Sequence, residues 1–114
     1  MKKGNEYAIL TDIITKGWAG MNTKQYKEHK GLKTESLRDN MTNLELVLNM
    51  LAEATTTEIS KEKKPTNIDE NKEIAQRGGE IAGNTRKEIE EATGKKVVSS
   101  KNAKELKSIK GKHK

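Results

Sequence analysis

GLKTESLRDNMTNLELVLNMLAEATTTEIS, residues 31–60, is the densest run of large apolar side chains in the chain, and its reading decides the fold. Between Leu44 and Leu51 only Glu45 and Asn49 are strongly polar. With Glu53 they recur at i, i+4 and i+8, one narrow polar strip along a helix. Leu44, Leu46, Val47, Leu48, Met50 and Leu51 take the other faces. A helix apolar on most sides has to be surrounded. The flanking segments are therefore expected to wrap it, leaving Glu45, Asn49, Glu53 and Thr56 to face a partner or a polar groove. The helix is expected to start from a cap at Asp39 or Asn40 and to run to about Lys61. The consecutive Thr55, Thr56 and Thr57 lower its propensity near the end and can bond back to preceding carbonyls.

Toward the N-terminus, Ile9, Ile13 and Trp18, or Leu10 and Ile14, share one side of a helix from about Asn5 to Lys16. Gly17 and Gly20 are expected to break it, leaving Trp18 to cover the core. Asn22 or Thr23 caps a short second helix with Tyr26 inward and Gly31 as its C′ residue, and Leu32 packs back on it. Thr34 to Leu37 reads as one short helical turn.

Toward the C-terminus, KEKKPTN (61–67) is a turn, because Pro65 cannot sit in a helix interior. Thr66, with Asp69 three residues on, opens a second long helix, antiparallel to the first because the connection is short. Its inward stripe is Ile68, Ala75, Gly78, Ala82, Thr85, Ile89 and Ala92. Gly78, Gly79 and Gly83, beside Ala82, lower helix propensity by about 1 kcal/mol for each glycine. Close approach of another helix backbone would compensate. Gly94 ends the helix. Val97 and Val98 can form a brief extended segment paired with Leu32 and Lys33, and Ser99 or Ser100 can cap a last short helix through Leu106. The sum is an all-α bundle of about five helices, two of them long and antiparallel. Residues 1–94 form the body and residues 95–114 a basic segment, a short helix followed by a frayed tail.

At 114 residues, with 31% hydrophobic and 35% charged residues, the chain suits one small domain with a modest core. The absence of cysteine excludes disulfides and thiolate chemistry and fits a reducing cytosol. No stretch approaches membrane-spanning length, and the expected location is cytoplasmic. The net charge of +6 is uneven. Residues 1–94 carry 15 Lys+Arg and 16 Asp+Glu, whereas residues 95–114 carry eight lysines against Glu105 alone. The basicity belongs to the C-terminal segment.

Catalysis finds little support. The only histidines, His29 and His113, lie far apart on polar stretches, and the many carboxylates sit in charge-balanced helical text such as KEIEE. We expect no enzyme activity, cofactor or metal. RGGEIAGN (77–84) lacks the preceding strand and the helix start that a phosphate loop needs. KEHKGLKTESL (27–37) has helix-turn-helix spacing but places Lys27 where a small buried residue belongs. Lys95, Lys96, Lys101, Lys104, Lys107, Lys110, Lys112 and Lys114 are the strongest lead. They can meet phosphates by counterion release, with Lys101, Lys104 and Lys107 on one helical ridge and Arg86 and Lys87 extending the surface. No aromatic residue is interleaved to stack on bases, and a solubilising tail is the alternative.

Three stretches together carry a family resemblance: EYAILTDIITKGWAGM (6–21), YKEHKGLKTESLRDNMTNLELVLNMLAEATTTEIS (26–60) and RGGEIAGNTRKEIEEATGKKVVSSKNA (77–103). The chain resembles the C-terminal region of the DNA-damage-inducible protein D family, which is related to Bro-type phage antirepressors. The resemblance implies a bacterial cytoplasmic protein of the SOS response that modulates recombination by acting on recombinase filaments on single-stranded DNA. A repressor protein is the alternative partner. Family members carry an N-terminal Bro-type domain ahead of this region, and residues 1–114 do not include it. The resemblance transfers no catalytic residue, and oligomeric state stays open.

Overall fold

The computed structural model describes residues 3–104, and it is all-α, as the periodicity requires. Four α-helices follow in order: α1 (Lys3–Ala19), α2 (Thr23–His29), α3 (Asn43–Lys63) and α4 (Ile68–Thr93). A single turn of 3-10 helix spans Arg38–Asn40. No strand forms among the described residues. The pairing expected between Val97–Val98 and Leu32–Lys33 is replaced by side-chain bonds to the backbone, given below. Of the last helix expected from a cap at Ser99 or Ser100, Lys101 and Asn102 are not helical, and Ala103 and Lys104 are. Its continuation through Leu106, and the frayed tail, lie outside the described residues.

α3 and α4 run antiparallel across the turn at Pro65. Lys64 caps α3 in the left-handed region (φ 48°), donating its N–H to Ser60 O. α4 begins one residue later than expected, on Asn67, whose side chain accepts the Glu70 N–H, and ends at Gly94 (φ 72°). α4 is the central element. It packs along both α1 and α3, which touch each other over a much shorter stretch. Its two inward rows explain the glycines. On one side a Cβ at Gly78 would run into Thr56 Oγ1, which is itself bonded to Ala52 O. On the other side a Cβ at Gly79 would lie 2.7 Å from Ile14 O, and one at Gly83 would collide with Gly17 O. Backbones this close leave room only for hydrogen. Gly78, Gly79, Ala82 and Gly83 are all buried, whereas Ala92 of the expected stripe is exposed.

Gly17 does not break α1. The helix passes through it to Ala19, and Gly17 is the α1 half of the contact with Gly79, while Gly20 (φ 81°) makes the exit. Trp18, Tyr26, Leu48, Ala52 and Ala82 form the centre of the core, each 1% exposed or less. Trp18 meets Tyr26 edge to face at 5.9 Å, a favoured aromatic geometry.

The main departure concerns α3. The polar strip expected to face outward faces inward along half its length. Glu45 is 0% and Asn49 9% exposed, while Leu44, Val47 and Met50 are 38%, 57% and 53% exposed. The helix is turned so that Glu45 and Asn49 share its inner face with Leu48 and Ala52, and Leu44, Val47 and Met50 face outward. The physical reason is that inward polar groups find partners: Asn49 Oδ1 accepts the Trp18 Nε1–H at 3.2 Å, and Glu45 accepts four donors. A buried polar group with its hydrogen bonds made loses little relative to water.

Candidate nucleic-acid interface

Two helix ends create the centre of the site. α2 starts on Asn22 in a capping box with Gln25 and closes on Gly31 (φ 72°), with Gly31 N–H bonding Glu28 O and Leu32 N–H bonding Lys27 O. That double closure is a Schellman turn, and Lys30 at its C-cap is 1% exposed. α3 starts on Thr42, later than the expected Asp39 or Asn40. Thr42 Oγ1 accepts the Glu45 N–H, and Glu45 Oε1 accepts the Thr42 N–H at 2.9 Å. This capping box satisfies two otherwise bare donors and fixes the Glu45 carboxylate at the N-terminus of α3.

The two ends meet in the interior. Lys30 Nζ lies 2.9 Å from Glu45 Oε1, both side chains fully buried, and 5.6 Å from the centre of the Tyr26 ring. Tyr26 donates its hydroxyl to Glu45 Oε2. Burial first, and then the Glu45 carboxylate, push the Tyr26 phenol far above its ordinary range, so it remains a proton donor. Desolvating such a pair cancels most of its attraction. What it secures here is position, because its remaining bonds reach the chain beyond α4.

That chain is held from Val97 to Ala103. At the end of α4, Arg86 Nε donates to Trp18 O at 2.6 Å and Arg86 Nη1 to Glu90 Oε1 at 2.8 Å, and Val97 N–H donates to Glu90 Oε2 at 3.0 Å. The Val97 amide, followed by the Arg86 guanidinium, holds the Glu90 carboxyl below its usual range. Val97 itself enters the core at 7% exposure. Ser99 N–H then donates to Glu45 Oε2 (3.2 Å), and Lys30 Nζ donates to Lys101 O (2.6 Å). Asn102 Nδ2 donates to Lys30 O (3.2 Å), and Ala103 N–H to Asn40 Oδ1 (2.7 Å). The change of charge at Gly94 is therefore not a change of body. The side chains of Lys95, Lys96, Lys101 and Lys104 are exposed, as is Lys87 on α4. A backbone clamped between Val97 and Ala103 thus carries exposed ammonium groups at Lys101 and on both flanks, an arrangement able to meet phosphate oxygens.

The structure separates the remaining sequence candidates. Arg86 is drawn inward to Trp18 O and Glu90 and so leaves the basic surface. Lys101 lies ahead of the helical residues Ala103 and Lys104, so it is not part of a helical ridge. Lys107 and Lys110, with Lys112 and Lys114, lie outside the described residues. The partner strip divides: Glu45 and Asn49 are internal, whereas Glu53, paired with Arg38 at 2.9 Å, and Thr56 line an open groove of about 430 Å³. Tyr7, Leu10 and Ile14 of α1 form the far wall of that groove.

Sequence reasoning missed Lys30 and the hydroxyl of Tyr26, and offered Asn40 only as a cap for α3 and not as the acceptor for Ala103. Thr42-x-x-Glu45 is a capping-box signature that would have located the start of α3 and turned Glu45 toward it. Nothing comparable marks Lys30, whose partner is 15 residues away. Among the described residues no group of three or more His, Asp or Glu side chains is arranged to hold a metal ion, and no helix is long and apolar enough to cross a membrane. No family model, curated protein or solved structure matches the chain.

Proposed function

We propose that the chain is a non-enzymatic regulatory module of a bacterial, cytoplasmic DNA-damage response that modulates recombinase filaments on single-stranded DNA. In this reading the helical body meets a protein partner, and the segment from Lys95 onward meets the phosphate backbone. The fifth, short helix of the sequence reading, in which Ala103 and Lys104 are helical, belongs to the same proposal. One observation carries it: Lys101 and Lys104 are exposed on a backbone that the buried Lys30–Glu45 pair and Asn40 hold in place, and Lys95 and Lys96 are exposed just ahead of it, where Val97 is bonded to Glu90. The body contributes a net charge near zero, so attraction to a polyanion is local to this segment. The resemblance to the DNA-damage-inducible protein D family supplies the biological setting.

The test is a titration against labelled single- and double-stranded oligonucleotides across a salt series, with and without recombinase. Log K should fall with log salt with a slope of about −0.7 for each phosphate neutralised on single strands. Glutamine at Lys95, Lys96, Lys101 and Lys104 should flatten that slope. Failure to bind at low salt overturns the nucleic-acid reading, and recombinase filaments unchanged by the intact protein overturn the recombination reading.

A second reading rests on a different surface. Leu44, Val47 and Met50 form an exposed apolar row on α3, which suits a phage-type antirepressor fragment that occupies a repressor without touching DNA. Val47→Glu with Met50→Glu would then abolish repressor binding and leave oligonucleotide binding intact.

A further inference from the structure

We infer that Lys30, Glu45 and Asn40 are positioning residues for polyanion binding: they dock residues 97–103 as a strap and so preset the geometry of Lys101 within it and of Lys95, Lys96 and Lys104 at its two ends. The inference rests on the nucleic-acid reading above and deepens it. Side chains that are buried or nearly so would then govern an interaction made only by exposed ones.

The strap is attached to the body at both ends and in the middle. Val97 is anchored in the core and bonded to Glu90. Ser99 and Lys101 bond the two halves of the buried ion pair, one through its N–H and the other through its carbonyl. Asn102 and Ala103 bond Lys30 O and Asn40 Oδ1. Asn40 is itself fixed, since its Nδ2 donates to Ser36 O at 2.7 Å. No buried polar side-chain atom among the described residues lacks a hydrogen-bond partner. The strap accounts for part of this, because it supplies the fourth donor to Glu45 and the second acceptor to Lys30.

The energetic consequence follows from the direction of the charges. On the strap side these bonds come from backbone groups and the Asn102 amide, and the exposed Lys101 ammonium takes no part in them. Ordering a free segment costs conformational entropy for each residue fixed, and a ligand that must order its own binding segment binds more weakly by part of that cost. With the strap docked beforehand, a nucleic acid meets fixed charges. With it loosened, the same lysines remain and the same phosphates are neutralised, but affinity falls.

The double substitution Lys30→Met/Glu45→Met tests this. It removes both buried charges together, which well-packed cores tolerate, and deprives Ser99 N–H and Lys101 O of their partners. Asn40→Ala is the second variant, removing the Ala103 bond without altering charge. Hydrogen exchange at the Ser99 and Ala103 amides reads docking, and anisotropy of labelled oligothymidylate across salt reads binding. In the unaltered protein both amides should be protected. In both variants they should lose protection while α3 and α4 keep theirs, and affinity should fall about tenfold at every salt concentration with the salt slope unchanged. Free-peptide exchange at Ser99 and Ala103 in the unaltered protein overturns the inference. Unchanged affinity in a variant whose strap has loosened overturns it too, and leaves the nucleic-acid reading standing. Absence of binding by the unaltered protein refutes that reading itself, and the positioning role falls with it, while the exchange data still report the docked strap.

Discussion

Replacing Gly79 by alanine inverts the usual effect of that substitution. In an exposed helix interior, alanine is favoured over glycine by about 1 kcal/mol. At Gly79 the added Cβ lies 2.7 Å from Ile14 O and 3.1 Å from Gly17 Cα, against the 3.4 Å at which ordinary van der Waals contact begins. Both obstacles are backbone atoms of α1, so no rotamer change relieves them, and α1 must move away from α4. Overpacking of this kind costs about 1–3 kcal/mol, near the upper end where backbone must shift. After the gain in propensity a net loss of about 1–2 kcal/mol remains, and each kcal/mol corresponds to roughly 4–8 °C in Tm for a domain of this size. Gly83→Ala should lose more, since its Cβ would collide with Gly17 O. Urea unfolding followed by far-ultraviolet circular dichroism measures both, with Asn84→Ala as the control on the exposed side of the same turn, expected within about 0.5 kcal/mol of the parent. A Gly79→Ala protein as stable as the parent, with an unchanged denaturant slope, would refute the close crossing of α1 and α4.

Lys30→Met alone strands a buried carboxylate and should destabilise by about 3–5 kcal/mol, whereas Lys30→Met/Glu45→Met should recover most of that loss in the same unfolding assay. Glu90→Gln should weaken the protein at neutral pH. The folded carboxyl is held below its ordinary value of 4.5, by the Val97 amide first and Arg86 next, so its contribution is fully present above that value. It is lost as pH falls through the lower folded value, and the parent and variant unfolding curves should converge there. Val47→Glu and Met50→Glu should each change stability by no more than about 0.5 kcal/mol. A loss of several kcal/mol would mean that the apolar row of α3 is interior after all.

The sequence carried the helices well because their signals are local. Asn22 and Gly31 bound α2, Pro65 ends the turn after α3, and Gly94 stops α4, each through a backbone preference that tertiary context did not override. The glycines of α4 were also legible, since three glycines in a helix require a close neighbour, but the neighbour was not. Gly17 reads as a breaker by propensity and becomes a contact point only once α1 lies across Gly79 and Gly83. The orientation of α3 was illegible for a different reason. Hydrophobic periodicity assumes that polar side chains seek water, yet Glu45 and Asn49 find Lys30, Tyr26 and Trp18 instead. Those partners are 15 to 31 residues away, and nothing in helical spacing announces them.

Glu45 links the two readings of function to a single feature of the fold and also keeps them separable. Its carboxylate completes the cap of α3, neutralises Lys30 and receives the strap at Ser99. The cap of α3 and the placement of the basic segment therefore share one carboxylate, so on the nucleic-acid reading a substitution of Glu45 should weaken phosphate binding although no exposed lysine is altered. The apolar row of Leu44, Val47 and Met50 lies on the outward side of the same helix, away from that cluster. Substitutions there leave the bonds of Glu45 untouched. A protein partner on the outer row and a nucleic acid on the strap would then occupy opposite consequences of one helix orientation, and binding of either should leave the other surface available.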